Sequence, residues 1–148
     1  MKLAALLAVS SAILIAAPTH GQVRTGNKPE APVRVDFVRC SVTLAEERTP
    51  KIIATLPCTN LEVSNTDRTI NVHYTSEEGT TTFFVDNNEA PDQDGDYAIS
   101  GTIFVPRGKK TYRRLPTDEG GYCSFTKVQM LCYLIIEGKI LFADAALE

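Results

Sequence analysis

Tryptophan is absent from this chain of 148 residues, and histidine and methionine occur twice each. Without tryptophan there is no ring to pack on the central disulfide of an antibody-type immunoglobulin domain. The usual stacking platform of a sugar site is missing as well, with only Tyr74, Tyr97, Tyr112, Tyr122 and Tyr133 to stand in for it. The serine-hydrolase elbow Gly-x-Ser-x-Gly, the zinc-protease His-Glu-x-x-His and the phosphate-binding glycine loop do not occur. No excess of positive charge is present: 15 Lys+Arg stand against 18 Asp+Glu, for a formal net charge of −3. A general nucleic-acid binder needs a dominant positive field, so nucleic acid is not an expected partner. Past residue 17 no stretch is long and apolar enough to cross a bilayer as a helix.

The long apolar run that does exist is at the N-terminus. Lys2 precedes an uncharged segment from Leu3 to Ala17, Pro18 breaks it, and Thr19-His20-Gly21 places small residues where a signal peptidase needs them. Residues 1–21 therefore read as a secretory signal peptide, and 22–32, with two prolines and no apolar pattern, as a flexible leader. The expected product is an exported protein, secreted or periplasmic, with no membrane insertion after cleavage. Losing His20 leaves His73 as its only histidine. Single-imidazole catalysis at His73, with Thr75 or Ser76 close in sequence, would still need a shaped turn and an oxyanion hole that the sequence does not announce.

Cys40, Cys58, Cys123 and Cys132 are an even set in an oxidising compartment, so two disulfides are expected. Intervals of 17, 64 and 8 residues do not resemble the close ligand pairs of structural zinc. Strand register orders the pairing. If 38–46 and 52–58 form a hairpin turning at Glu47–Lys51, Leu44 pairs with Ala54, Val42 with Leu56 and Cys40 with Cys58, all on one face. Against a competing connectivity that joins the N-terminal hairpin to the C-terminal strands, Cys123–Cys132 follows by elimination. A straight strand would hold those two about 30 Å apart at 3.3 Å per residue, so the chain must reverse near Thr126–Gln129, which contains no Gly, Pro or Asn.

From residue 33 to 148 the chain reads as one β domain of short alternating runs. Val33, Val35 and Phe37 alternate, then the phase slips to Val38, Cys40, Val42 and Leu44, which suggests a bulge or a strand covered on both faces. Ile70-x-Val72-x-Tyr74, Thr80–Val85, Tyr97–Val105 and Val128–Ile136 follow, with turns at Glu78-Gly79 and Glu137-Gly138. No window keeps a helical period. The expected fold is all-β: an antiparallel sandwich or small barrel of about seven to nine short strands, stapled by two disulfides.

Charge is segregated. Glu77 to Asp96 holds seven acids and no base; Arg107 to Arg114 holds five bases and no acid. Within the acidic block, Asp92, Asp94 and Asp96 beside Gly95 offer oxygen on alternate residues, the composition of a weak Ca2+ site, although the EF-hand pattern fails because Ala90 falls at its first position. No other cofactor is expected, and the alternative is a solvated hairpin loop. The basic block, Arg107, Lys109, Lys110, Tyr112, Arg113 and Arg114, is the candidate binding surface, against an edge strand kept soluble by positive charge. The two blocks could also meet, within one molecule or between two. The sequence thus leads to an exported binding protein whose expected partner is a protein or an extracellular polymer rather than a small molecule, with no catalytic residue assigned. The alternatives are a small envelope or extracellular hydrolase using carboxylates, and a structural self-associating protein.

Overall fold

In the computed structural model, residues 31–49, 51–117 and 119–148 are described, so the expected signal peptide and most of the leader lie outside the described residues. Ten strands follow one another: β1 (Val33–Arg34), β2 (Phe37–Glu46), β3 (Ile52–Asn65), β4 (Thr69–Ser76), β5 (Gly79–Asp86), β6 (Asp96–Pro106), β7 (Arg113–Leu115), β8 (Gly121–Phe125), β9 (Gln129–Ile136) and β10 (Lys139–Leu147). All pairings are antiparallel. Eight strands close a barrel in the order β3-β2-β10-β9-β8-β6-β5-β4 and back to β3, with β1 and β7 added outside this circuit. The expected all-β fold with two disulfides is the observed one.

Two long strands turn the corners. β3 pairs with β2 over Ile52–Pro57, passes a bulge between Cys58 and Asn60, and pairs with β4 as far as Asn65. β6 pairs with β8 over Asp96–Ala98 and then with β5 over Ile99–Pro106. The barrel is thereby flattened into two facing sheets that share β3 and β6, which is how a β chain closes without leaving long open edges.

The predicted hairpin register is the observed one: Val42 faces Leu56 and Leu44 faces Ala54. Cys40 and Cys58 continue that face and are bonded, with their Cα atoms 5.2 Å apart. The phase slip near Phe37 is a bulge. Leu147 pairs with Phe37 but Ala146 with Arg39, which leaves Val38 unpaired and 74% exposed. Cys123 and Cys132 sit opposite one another on β8 and β9, bonded and fully buried.

The reversal between them uses a hydroxyl where a glycine was not available. Thr126 Oγ1 accepts the backbone N–H groups of Val128 and Gln129, while the Thr126 N–H donates to the Gln129 carbonyl at 2.9 Å. The β3–β4 turn repeats the device, with Thr66 Oγ1 accepting from Arg68 and Thr69. Such side chain to backbone bonds let Ser and Thr mark a turn without positive φ. The Glu137-Gly138 turn works the other way: both residues have positive φ, 49° and 72°, the signature of a two-residue type I′ hairpin.

Inside the barrel the inward-facing residues line up across neighbouring strands. Val42, Ala143, Cys132 and Cys123 form one such row, and Val63, Val72, Phe83 and Thr102 another on the opposite sheet. Tyr74 crosses the interior: its ring meets Phe83 edge-on at 5.9 Å, and its hydroxyl donates to the Met130 carbonyl at 3.4 Å. Burial pushes the Tyr74 phenol well above its ordinary range, with Asp144 adding to the shift, so it remains a neutral donor. Each of Leu61, Val72, Phe83 and Leu134 is fully buried, which contributes about 1.5–3 kcal/mol per side chain.

Candidate functional site

The interior is not filled along its whole length. Hairpin turns define two ends of the barrel. One end carries the β2–β3, β4–β5 and β9–β10 turns and the β6–β7 connection. The other carries the β3–β4, β5–β6 and β8–β9 turns. At the second end, the two disulfides, Tyr74, Phe83 and Met130 pack the space between the sheets. At the first end the same inward rows continue but leave a cup of about 370 Å3.

Local sequence explains why this end stays open. Val42 and Leu44 on β2, Ala54 and Leu56 on β3, and Leu141 on β10 point inward by the alternation that fixes the hairpin. Across from them, Thr81 on β5 and Phe104 on β6 supply the facing wall. Ala54 and Thr81 are small, so the rows that narrow the other end do not meet here. The wall is also incomplete at the side. β8 reaches only from Phe125 to Gly121, opposite Leu134; beyond it β9 continues to Ile136 paired with β10, with one bond on the other side, from the Ile135 N–H to the Gly120 carbonyl at 3.2 Å. The short β7 covers part of that interval from the β6 side, and Leu115 and Ile136 line the cup from either bank. Three charged side chains stand at this opening: Arg113 from β7, Glu137 from the β9–β10 turn and Lys139 from β10. Among the described residues the one side-chain ion pair is Arg39–Asp144, elsewhere on the barrel, so the three rim charges have no partner within 4 Å in that set.

The six residues of the sequence-predicted binding block are dispersed rather than assembled. Arg113 reaches the cup. Arg114, on the other face of the same strand, lines a separate cavity of about 280 Å3 with Ser100 and Thr117. Arg107 and Lys109, in the β6–β7 connection, border a groove of about 470 Å3 with Thr75, Glu77 and Thr80. Lys110 and Tyr112 are exposed, the latter at 58%. β7 is a three-residue edge strand.

Five of the seven acids (Asp86, Glu89, Asp92, Asp94 and Asp96) lie at the far end of β6, along the β5–β6 loop, whereas Glu77 and Glu78 form the β4–β5 turn beside Arg107. β6 separates that loop from the basic block by its whole length, but Glu77 and Glu78 do meet the block: the Arg107 N–H donates to the Glu78 carbonyl at 2.9 Å, and Glu77 borders the same groove as Arg107 and Lys109. Asp92 Oδ1 accepts the backbone N–H groups of Asp94 and Asp96, both at 2.9 Å, and Asp86 does the same for Asn88 at 2.8 Å. These carboxylates cap their own loop. Among the described residues no three His, Cys, Asp or Glu side chains gather as a metal site, Asp92, Asp94 and Asp96 included.

His73 faces outward on β4 and is held from both sides. Its Nε2 lies 3.1 Å from Ser64 Oγ and its Nδ1 2.9 Å from Thr82 Oγ1. Its companions are thus cross-strand neighbours, not the adjacent Thr75 or Ser76. Partial burial lowers its pKa, and the opposing Glu62 pulls it part of the way back. The group sits on a regular strand face, where the sharp turn of a nucleophile site is absent.

No protein-family model, curated protein or solved structure matches the chain.

Sequence reading missed the cup. The hairpin register put Val42, Leu44, Ala54 and Leu56 on one face, but a face on a linear chain does not say whether the opposite wall touches it. The available signal was the small inward residue at Ala54 together with Thr81, both near strand ends.

Proposed function

We propose that this protein is an exported, non-catalytic binding protein that holds a small, largely apolar molecule in the open end of its barrel. The observation that carries this reading is the cup itself. Its size of about 370 Å3 falls within the range of natural ligand pockets, roughly 300–1,000 Å3, and its wall is made of aliphatic and aromatic side chains with a few polar groups at the opening. An eight-stranded barrel is wide enough to hold one small ligand. At roughly 30 Å3 per water-sized group the space admits about a dozen non-hydrogen atoms. Export and the absence of a catalytic residue fit a carrier or a sequestering protein. Glu137 is the one carboxylate lining the cup among the described residues, so the two facing carboxylates of a glycosidase-type mechanism have no pair there.

A second reading keeps the expected macromolecular partner. The groove bordered by Arg107, Lys109 and the Thr75–Thr80 hydroxyl pair, 3.0 Å apart, with Glu77 as the one carboxylate against two cations, supports docking of an anionic protein face or polymer beside the cup.

The test is calorimetric titration of the mature, oxidised protein with 1-decanol, alongside an Ala54→Trp variant that fills the cup from an exposed position. The reading expects saturable one-to-one binding that falls at least tenfold in the variant, with thermal stability unchanged. Absence of binding, or binding that Ala54→Trp leaves intact, overturns it.

A further inference from the structure

Resting on that reading, we infer that the ligand is an anionic amphiphile: a single apolar chain of about ten carbons seated in the cup, ending in a carboxylate or similar oxyanion held by Arg113 and Lys139.

The argument begins with where the charges stand. The interior wall is apolar, so a polar group on the ligand is accommodated only at the opening, where it remains partly hydrated. Arg113 and Lys139 approach that opening from different strands, β7 and β10, on opposite sides of the incomplete wall. Both are long side chains whose methylene stems can lie against the apolar lining while their charged ends stay in water. An oxyanion at the mouth would therefore meet positive charge from two directions. Arg offers a planar fork suited to a carboxylate, and Lys a compact point charge.

Neither cation is neutralised within the described residues. Glu137 is the one carboxylate lining the cup, against two cations; Glu46, the cross-strand partner of Lys139, stands beside the rim with its Oε2 accepting from Thr49, and no ion pair within 4 Å joins either carboxylate to the cations. The surroundings reinforce the sign. Arg107, Lys109 and Lys110 lie in the connection that leads into β7, and Arg114 is next to Arg113. Five cations in eight consecutive residues raise the local concentration of anions and speed their encounter with the mouth. The basic block thus gives Arg113 to the rim, while Arg107 and Lys109 border a neighbouring groove and Arg114 a separate cavity.

The size of the cavity bounds the other end of the ligand. A ten-carbon carboxylate contains twelve non-hydrogen atoms, matching the dozen or so that the space admits at roughly 30 Å3 each. Much longer chains would extend past the packed interior at Tyr74 and the Cys123–Cys132 disulfide, both fully buried.

The experiment compares two probes that share a chain and differ in head group, decanoate and 1-decanol, at pH 8, with decanoate below its micelle concentration and 1-decanol within its aqueous solubility. Binding to the full mature protein is followed by calorimetry at low and high salt. Decanoate is expected to bind at least tenfold tighter than decanol at low salt, with the advantage shrinking in high salt. Arg113→Gln and Lys139→Gln should each reduce that advantage several-fold while changing decanol binding far less, whereas Glu137→Gln should increase it. Equal affinity for the two probes, or variants that weaken both alike, would overturn the anionic head group while leaving the cup reading intact. If neither probe binds, the cup reading itself fails and this inference goes with it.

Discussion

Thr102 should be more comfortable as a valine. It lies on β6, fully buried, between Phe83 on β5 and Leu115 on β7. Its hydroxyl is the one buried side-chain polar atom without a hydrogen-bond partner among the described residues. A buried hydroxyl left without a partner costs about 1–3 kcal/mol of desolvation. Thr102→Val removes that penalty and retains the β-branched shape that suits a strand. We expect a gain of about 1 kcal/mol, the low end of that range, or roughly 3–6 °C in melting temperature for a domain of this size. Thr102→Ser is the matched control: it keeps the hydroxyl and deletes a methyl from a packed site, and it should lose about 1 kcal/mol. The assay is guanidinium unfolding of the oxidised protein followed by tyrosine fluorescence, which no tryptophan overlays. A destabilised Thr102→Val protein would mean that the hydroxyl is bonded, and would refute the reasoning.

Three further expectations concern the frame of the barrel. Chain-entropy reasoning gives about 3 kcal/mol for the Cys40–Cys58 loop and about 2.5 kcal/mol for the shorter Cys123–Cys132 loop. We expect the opposite order on double replacement by alanine, because both sulfurs of the second bridge are fully buried and their loss leaves a cavity; paired unfolding curves check it. Thr126→Val should cost about 1 kcal/mol, since two backbone N–H groups lose their acceptor, whereas Lys127→Ala in the same turn should be near neutral in the same measurement. His73 governs a pH effect. Its folded pKa lies below the ordinary 6.5, so the folded state takes the proton less readily than the unfolded chain. Its contribution is complete above pH 6.5 and is lost as pH falls through the folded value. Stability measured against pH should therefore decline more steeply below 6.5 in the parent protein than in His73→Gln.

How far the sequence carried differs between frame and site, for physical reasons. Strand parity is a local property, and one face of a hairpin is enough to fix register. That is why Val42–Leu56, Leu44–Ala54 and Cys40–Cys58 were legible before the structure was known, while Cys123–Cys132 followed only by elimination. The Glu137-Gly138 turn was legible because glycine advertises positive φ. The Thr66 and Thr126 turns are written in hydroxyl hydrogen bonds, which leave a weaker compositional mark. The second half of β3, beyond Cys58, went unread because its residues Thr59–Asn65 alternate poorly, and its strand character comes from β4 and β1 on either side. The cup is the least local feature of all. It depends on β8 and β7 each being too short to complete the wall, and on Ala54 and Thr81 being small on separate strands. The basic block was visible as charge, but its division among the cup, a second cavity and a groove is a consequence of a three-residue strand.

The central claim is that a small amphiphile enters the open end of the barrel, and methyl-resolved NMR addresses it most directly. With Leu, Ile and Val methyls labelled in the mature, oxidised protein, decanoate is titrated in and the shifts followed. The account predicts saturable changes at Leu44, Leu56, Leu115, Ile136 and Leu141, with Val38, Ile52 and Val128 unmoved. Shifts confined to Val38, Ile52 and Val128, or none at all, would contradict it.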